Sequence, residues 1–150
     1  MIARTVTVLL LCLGFSVQAA APAKSEKDRA VDLVKAAAEL VGKVGQEKAL
    51  LEIGRADGPF VEGELYVFAY DMNGVIVAHP RNAKLVGKNM LEVPDVDGKL
   101  FRKEIVEVAR TKGTGWVDYK YKNAESGKVE EKTTWVRKVG NLVLCCGVYR

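Results

Sequence analysis

Glu64-Leu-Tyr-Val-Phe-Ala-Tyr-Asp-Met-Asn-Gly-Val-Ile-Val-Ala-His-Pro80 is the stretch on which the fold turns. Apolar and aromatic residues flank Asn73-Gly74, a pair that tolerates the positive φ angles of a tight turn, so the segment reads as a β-hairpin. A two-residue loop sets Phe68 opposite His79, and a four-residue loop, Asp71 to Gly74, sets Tyr66 there. Both loops are even in length. In either register Tyr66, Phe68, Tyr70, Val75, Val77 and His79 share one side, and Leu65, Val67, Ala69, Ile76 and Ala78 the other. The second side is aliphatic and calls for an apolar cover. The first is aromatic with an imidazole and is expected to line a space able to hold polar groups, although each of these aromatics, taken alone, is more often core than site.

Around the hairpin, 150 residues with 49% apolar side chains, 28% charged ones and a net charge of +4 have the profile of one globular domain. Residues 1–21 combine Arg4, the apolar run Val6 to Phe15 and Val17-Gln-Ala-Ala-Ala21, which reads as a secretory signal peptide cleaved after Ala19 or Ala21. An uncleaved anchor is the competing reading. The mature domain, residues 22–150, is then expected in the periplasm or outside the cell, with no later stretch long and apolar enough to span a membrane. Lysines and acidic residues are interspersed without a basic block, which excludes an obvious nucleic-acid footprint. Beyond Cys12 in the leader, the cysteines are the adjacent Cys145 and Cys146. Strand neighbours point to opposite faces, so two buried thiols are expected, with a vicinal disulfide or a redox switch as alternatives.

In chain order, Ser25-Glu-Lys-Asp28 has the chemistry of a helix start, and Val31, Val34, Ala38 and Val41 form an apolar stripe behind it. Gly42 and Gly45 weaken the middle before Ala49, Leu50 and Ile53 resume, so a long helix broken or kinked near Gly45 is expected as the cover of the aliphatic face. A homodimer through that helix stays open. Between Pro80 and Leu100, Leu85, Val86, Met90 and Leu91 could dock an ordered crossover, and Asp95-Val-Asp-Gly98 reads as a helix-capping turn rather than a calcium loop. A helix over Leu100 to Thr111 presents Phe101, Ile105, Val108 and Ala109, with charges opposite. Strands Gly115 to Lys122, Lys132 to Val139 and Leu142 to Tyr149 complete an α+β domain with a five-stranded antiparallel sheet, a long kinked N-terminal helix and one crossover helix.

A single histidine restricts enzyme chemistry severely, and neither a local nucleophile–base pair nor a ligand cluster accompanies it. No enzyme, cofactor or metal is expected. A small anion is better served, because an imidazole, an ammonium and phenols can jointly hold a carboxylate through charge-assisted hydrogen bonds. His79 ends a strand on the aromatic face, Lys88 and Asn89 lie in the crossover, Tyr119 with Tyr121 can close the site, and Lys132 and Trp135 can line its far edge. Against this stand a solvated Lys88 and Lys132, a core Trp135 and a core His79, each the commoner role for its residue type.

Residues Glu64 to Pro80, Leu85-Val-Gly-Lys-Asn89, Asp95-Val-Asp-Gly98, Gly113-Thr-Gly-Trp-Val-Asp-Tyr119, Lys132-Thr-Thr-Trp-Val136 and Gly147-Val-Tyr149 together resemble the single Cache domain. The resemblance covers Ser25 to Arg150. It implies a PAS-like sheet and an extracytoplasmic pocket for a small organic acid or similar metabolite, with Tyr66, Phe68, His79, Lys88, Tyr119 and Lys132 as its binding residues. Such domains feed chemoreceptors, histidine kinases or cyclases through flanking membrane helices. Without such a helix after the leader, this one is expected to act as a periplasmic sensory module through a separate membrane receptor, histidine kinase or transport partner. A structural or interaction module with a self-filled pocket, and a thiol redox element, are the alternatives.

Overall fold

The computed structural model describes residues 23–150; the signal peptide expected over 1–21, with Cys12, lies outside the described residues. The chain begins with helix α1 (Glu26–Val44), capped by Ser25, whose hydroxyl accepts the Asp28 amide at 3.2 Å. At Gly45, with φ of 84°, the helix breaks and α2 (Gln46–Ile53) sets off in a new direction. Strands β1 (Val61–Glu62), β2 (Leu65–Asp71) and β3 (Ile76–Ala78) follow, then α3 (Phe101–Thr111), β4 (Thr114–Lys122), β5 (Val129–Val139) and β6 (Leu142–Tyr149). All pair antiparallel in the order β1-β2-β6-β5-β4, with β3 beside β2 on the edge away from β6, beyond the short β1. The two-residue β1 is the one strand that the residue pattern did not announce.

The sheet divides the interior in two. Ala30, Leu33, Val34 and Ala37 of α1, with Ile53 of α2, cover Leu65, Val67, Ala69, Leu144 and Cys146. The buried stripe is rotated relative to the expected one, centring on Ala30 and Ala37, whose small side chains let the helix approach the sheet closely. On the opposite face Phe101, Ile105 and Ala109 of α3 pack with Tyr66, Phe68, Tyr70, Val117, Tyr119, Val136 and Cys145. Cys145 and Cys146 therefore belong to different layers, as strand alternation demands.

The central hairpin reaches the expected arrangement by an unexpected route. Its loop is the odd triplet Met72-Asn73-Gly74: Asp71 N–H donates to Val75 O at 2.9 Å, Gly74 N–H donates to Asp71 O, and Gly74 has φ of 82°. The Asp71 carboxylate accepts the amides of Asn73 and Val75, which fixes the turn. An odd loop inverts parity, so Ile76 joins the aromatic layer and Val77 packs on the aliphatic one, the reverse of the even-loop expectation. Ala69 then pairs with Ala78 while Tyr70 pairs with Ile76, a bulge that places one extra residue in β3 and inverts parity again. The two inversions cancel, and His79 arrives on the face of Tyr66 and Phe68.

The crossover is ordered by backbone pairing: Ile76 N–H donates to Lys88 O at 3.0 Å and Gly87 N–H donates to Ile76 O at 2.8 Å. Leu85 and Met90 dock on the aromatic layer, whereas Val86 is exposed. Asp95 does not cap α3, whose N-cap position is Leu100. Its carboxylate accepts the amides of Asp97 and Lys99 within its own turn and that of Lys120 across on β4, which ties the crossover to the sheet edge.

Candidate functional site

Between α3 and the aromatic face of the sheet lies a small, partly open cavity lined by Tyr66, Phe68, Tyr70, Ile76, His79, Leu85, Phe101, Arg102, Tyr119, Tyr121 and Lys132. The space left among them is about 10 Å³, room for one water. A surface groove of about 450 Å³, walled by Arg81, Asn82, Lys122, Asn123, Ala124 and Gly127, opens onto Tyr66, His79 and Tyr121.

Lys132 dominates the cavity. Alternation along β5 turns it inward with Thr134 and Val136, and it is only 2% exposed. Its Nζ donates to the hydroxyls of Tyr66 at 3.1 Å and Tyr149 at 3.2 Å, and stands 4.3 to 5.8 Å from the ring centroids of Tyr149, Tyr66, Tyr121 and Phe68. An aromatic cage partly replaces the water an ammonium gives up on burial, and Glu64 acts on it from a distance, but among the described residues no carboxylate forms an ion pair with it. Burial pushes its pKa down to about 8. The ammonium form still prevails at neutral pH.

His79 is 7% exposed and sits 5.4 Å from the Tyr66 ring and 5.6 Å from the Phe68 ring, centroid to centroid. Its Nδ1 accepts the Asn82 amide at 3.0 Å. Burial, with the charges of Lys132 and Arg102, pushes its pKa down to about 4. A neutral imidazole whose Nδ1 accepts carries its proton on Nε2, so His79 offers a hydrogen-bond donor. Tyr119 stacks on Phe101 at 3.9 Å between centroids, and its hydroxyl shares a 2.8 Å hydrogen bond with Thr134 Oγ1. Burial raises the pKa of Tyr66, Tyr70 and Tyr119 and pushes that of Tyr149 up to about 12, which keeps all four as hydroxyls.

Of the residues singled out in the sequence, Tyr66, Phe68, His79, Tyr119 and Lys132 converge. Lys88 does not. Its side chain is exposed, and its contribution is the backbone carbonyl that anchors Ile76. Trp135 lies on the other face of the sheet, 5.3 Å from Trp116 between ring centroids and packed against the layer under α1. An odd number of positions separates it from Lys132, so the two cannot point the same way along a strand. Tyr121, expected beside Tyr119, and Tyr70 of the same aromatic face also line the cavity, whereas Arg102, Phe101, Ile76 and Leu85 were not anticipated there. For Arg102 the signal was present: Arg102, Ile105, Val106 and Ala109 recur at helical spacing, which widens the buried face of α3 to include the arginine.

Chemically the lining is one-sided. Lys132, Arg102 and His79 Nε2 are donors, the phenols can donate, and no carboxylate lines the space. Among the described residues, no group of three or more His, Cys, Asp or Glu converges to hold a metal. Burial raises the thiol pKa of Cys145 and pushes that of Cys146 up to about 12, which disfavours the reactive thiolate in both. The arrangement is suited to holding an anion.

Residues 23–149 match the family Single Cache domain 2. The chain belongs to this family. Its members are ligand-binding sensory modules of extracytoplasmic location, and no helix among the described residues of this Cache domain is long and apolar enough to cross a membrane. The domain is similar to a solved Cache chemosensory domain described for its recognition of carboxylic acids, with 24% identity and a TM-score of 0.71 over 84% of this chain and 99% of the other. It is also similar to the periplasmic sensor domain of a chemotaxis protein, with 28% identity and a TM-score of 0.69 over 85% and 99%. The sensor histidine kinase MctS of Rhizobium johnstonii is 31% identical over 86 residues, 56% of this chain and 18% of the kinase. The Cache chain thus spans under a fifth of that relative's length.

Proposed function

We propose that this Cache domain is an exported sensory module, with residues 1–21 as its leader, that binds a small organic acid in the cavity under α3 and reports occupancy to a separate membrane receptor, histidine kinase or transporter. The observation that carries the proposal is Lys132, a buried ammonium held by phenols and rings and, among the described residues, in no ion pair with a carboxylate. A charge left in that state costs several kcal/mol, which a bound carboxylate would offset. His79 Nε2 and the phenols supply further donors to the same guest. A Cache domain of the same fold that recognises carboxylic acids fits this chemistry. The guest would enter through the groove between Asn82 and Asn123, and the lining would part to admit it.

Titration calorimetry with acetate, propionate, butyrate, malonate and succinate tests the reading. At least one acid should bind to the wild type and none to Lys132→Met. A panel without heat or thermal stabilisation would leave the second reading standing, a module whose pocket is filled by its own side chains, which the one-water space favours.

A further inference from the structure

Arg102 has no part in the reading above, yet it faces the same cavity as Lys132. It is 5% exposed, its Nη1 donates to Val93 O at 3.1 Å, and the Tyr70 hydroxyl is its other hydrogen-bonding neighbour. The guanidinium stands 4.2 Å from the Phe101 ring centroid and 5.9 Å from that of Tyr121. A guanidinium carries five N–H donors, so most of its capacity is unspent. On the surface Arg29, Arg55, Arg81, Arg110 and Arg150 each meet a carboxylate in a solvent-exposed pair, and Arg137, without one among the described residues, is exposed to water. The buried arginine meets none among the described residues. One cavity therefore has two buried cations in its wall and no acidic residue to balance either.

Resting on the reading that the cavity holds a carboxylate, we infer that its ligand is a dianion, a short dicarboxylate with one carboxylate on Lys132 and the other on Arg102. A single carboxylate would leave one buried cation uncompensated, and a second would satisfy it with charge-assisted hydrogen bonds. The spacing limits the length. Lys132 Nζ is 5.5 Å and Arg102 Cζ 5.9 Å from the centroid of the same Tyr121 ring, so the charges are no further apart than those two distances together. Contacts of about 2.8 Å at each end then leave at most a few ångströms between the carboxylates, an upper limit of about four carbons in all. The same wall disfavours amino acids, because an ammonium on the guest would face two like charges and find no carboxylate.

The probes are malonate and succinate against propionate and butyrate, titrated into the wild-type protein at neutral pH. A dicarboxylate should bind at least about tenfold more tightly than either monocarboxylate. Arg102→Gln should remove that preference by weakening the dicarboxylate about tenfold while leaving propionate within about twofold, and Arg102→Lys should retain part of it. Equal or tighter binding of a monocarboxylate to the wild type overturns the inference and leaves the carboxylate reading intact. Equal loss of both classes in Arg102→Gln, with unchanged thermal unfolding, also overturns it, by making Arg102 a packing residue. Binding of no acid of either kind overturns the inference together with the reading beneath it.

Discussion

The stem of Lys132 lies in the space that a side chain on Gly147 would occupy: a Cβ built there would collide with Lys132 Cε and approach Thr134 Oγ1 to 2.7 Å. Thr134 is the direct cross-strand partner of Gly147, and Lys132 pairs two positions along with Tyr149. The missing side chain on β6 is what allows a lysine from β5 to fold across the sheet towards Tyr66. Gly147→Ala is expected to displace Lys132 and cost about 1 to 3 kcal/mol, the usual range for overpacking a filled core. Urea unfolding measures the stability, and calorimetry should show acid binding lost with it. Unchanged binding would mean that the position of Lys132 does not depend on Gly147.

Removing the buried charge should have the opposite sign. Burial lowers the Lys132 pKa to about 8, against about 10.4 for an unfolded lysine, so the unfolded chain holds this proton more tightly. The penalty is fully present below the folded pKa and vanishes as pH rises past the unfolded one. Lys132→Met keeps the stem and deletes the charge, so it should raise stability by about 1 to 3 kcal/mol at neutral pH, and the gain should shrink between about pH 8 and 10.4. Paired urea titrations across that window read the difference directly. A variant less stable at every pH would show that the cage and its hydrogen bonds outweigh desolvation.

His79 contributes an acid-side limit. Its pKa falls to about 4 from about 6.5, so the unfolded state binds the proton preferentially between those values and stability drops as pH falls through the window. The full penalty, reached below about pH 4, is roughly 3 kcal/mol. His79→Gln has no proton to gain and should flatten the stability profile between about pH 4 and 6.5, with carboxylate titrations elsewhere left in place. Parallel curves for wild type and variant through that range would show that folding does not lower the His79 pKa.

Much of this layout was written in alternation and breaker residues. The kink at Gly45, the two-faced hairpin and the inward turn of Tyr119 follow from helical and strand periods. What could not be read was parity across the turn. Asn73-Gly74 suits an even loop, but Asp71 closes a three-residue one, and the bulge that compensates has no residue signature in Ile76-Val77-Ala78. Lys132 was recognised by type and not by depth, because its burial depends on Gly147 fifteen residues further along the chain. Arg102 was passed over because a charge on an amphipathic helix is ordinarily placed on the solvent side.

Trp135 provides a control on the opposite face. It packs with Trp116 under α1 and is separated from the cavity by the thickness of the sheet. Trp135→Phe is expected to cost about 1 to 3 kcal/mol through lost packing while leaving acid affinity unchanged. Urea unfolding and calorimetry on the same preparation separate the two effects. Weakened binding in a variant that remains folded would restore Trp135 to the site and place the functional cavity elsewhere.

Acid binding itself should carry the titration of Lys132. In the empty domain the ammonium begins to lose its proton near pH 8, and a bound carboxylate favours the charged form, so the ligand must draw a proton back at higher pH. Affinity should therefore be level from about pH 6 to 7.5 and fall up to about tenfold per unit above pH 8. Proton uptake should accompany binding in the upper range, visible as a dependence of the calorimetric heat on the ionisation enthalpy of the buffer. His79, already neutral above about pH 5, adds no slope of its own there. An affinity that stays level through about pH 9 would mean that the acid is not held by Lys132, whatever else it touches in the cavity.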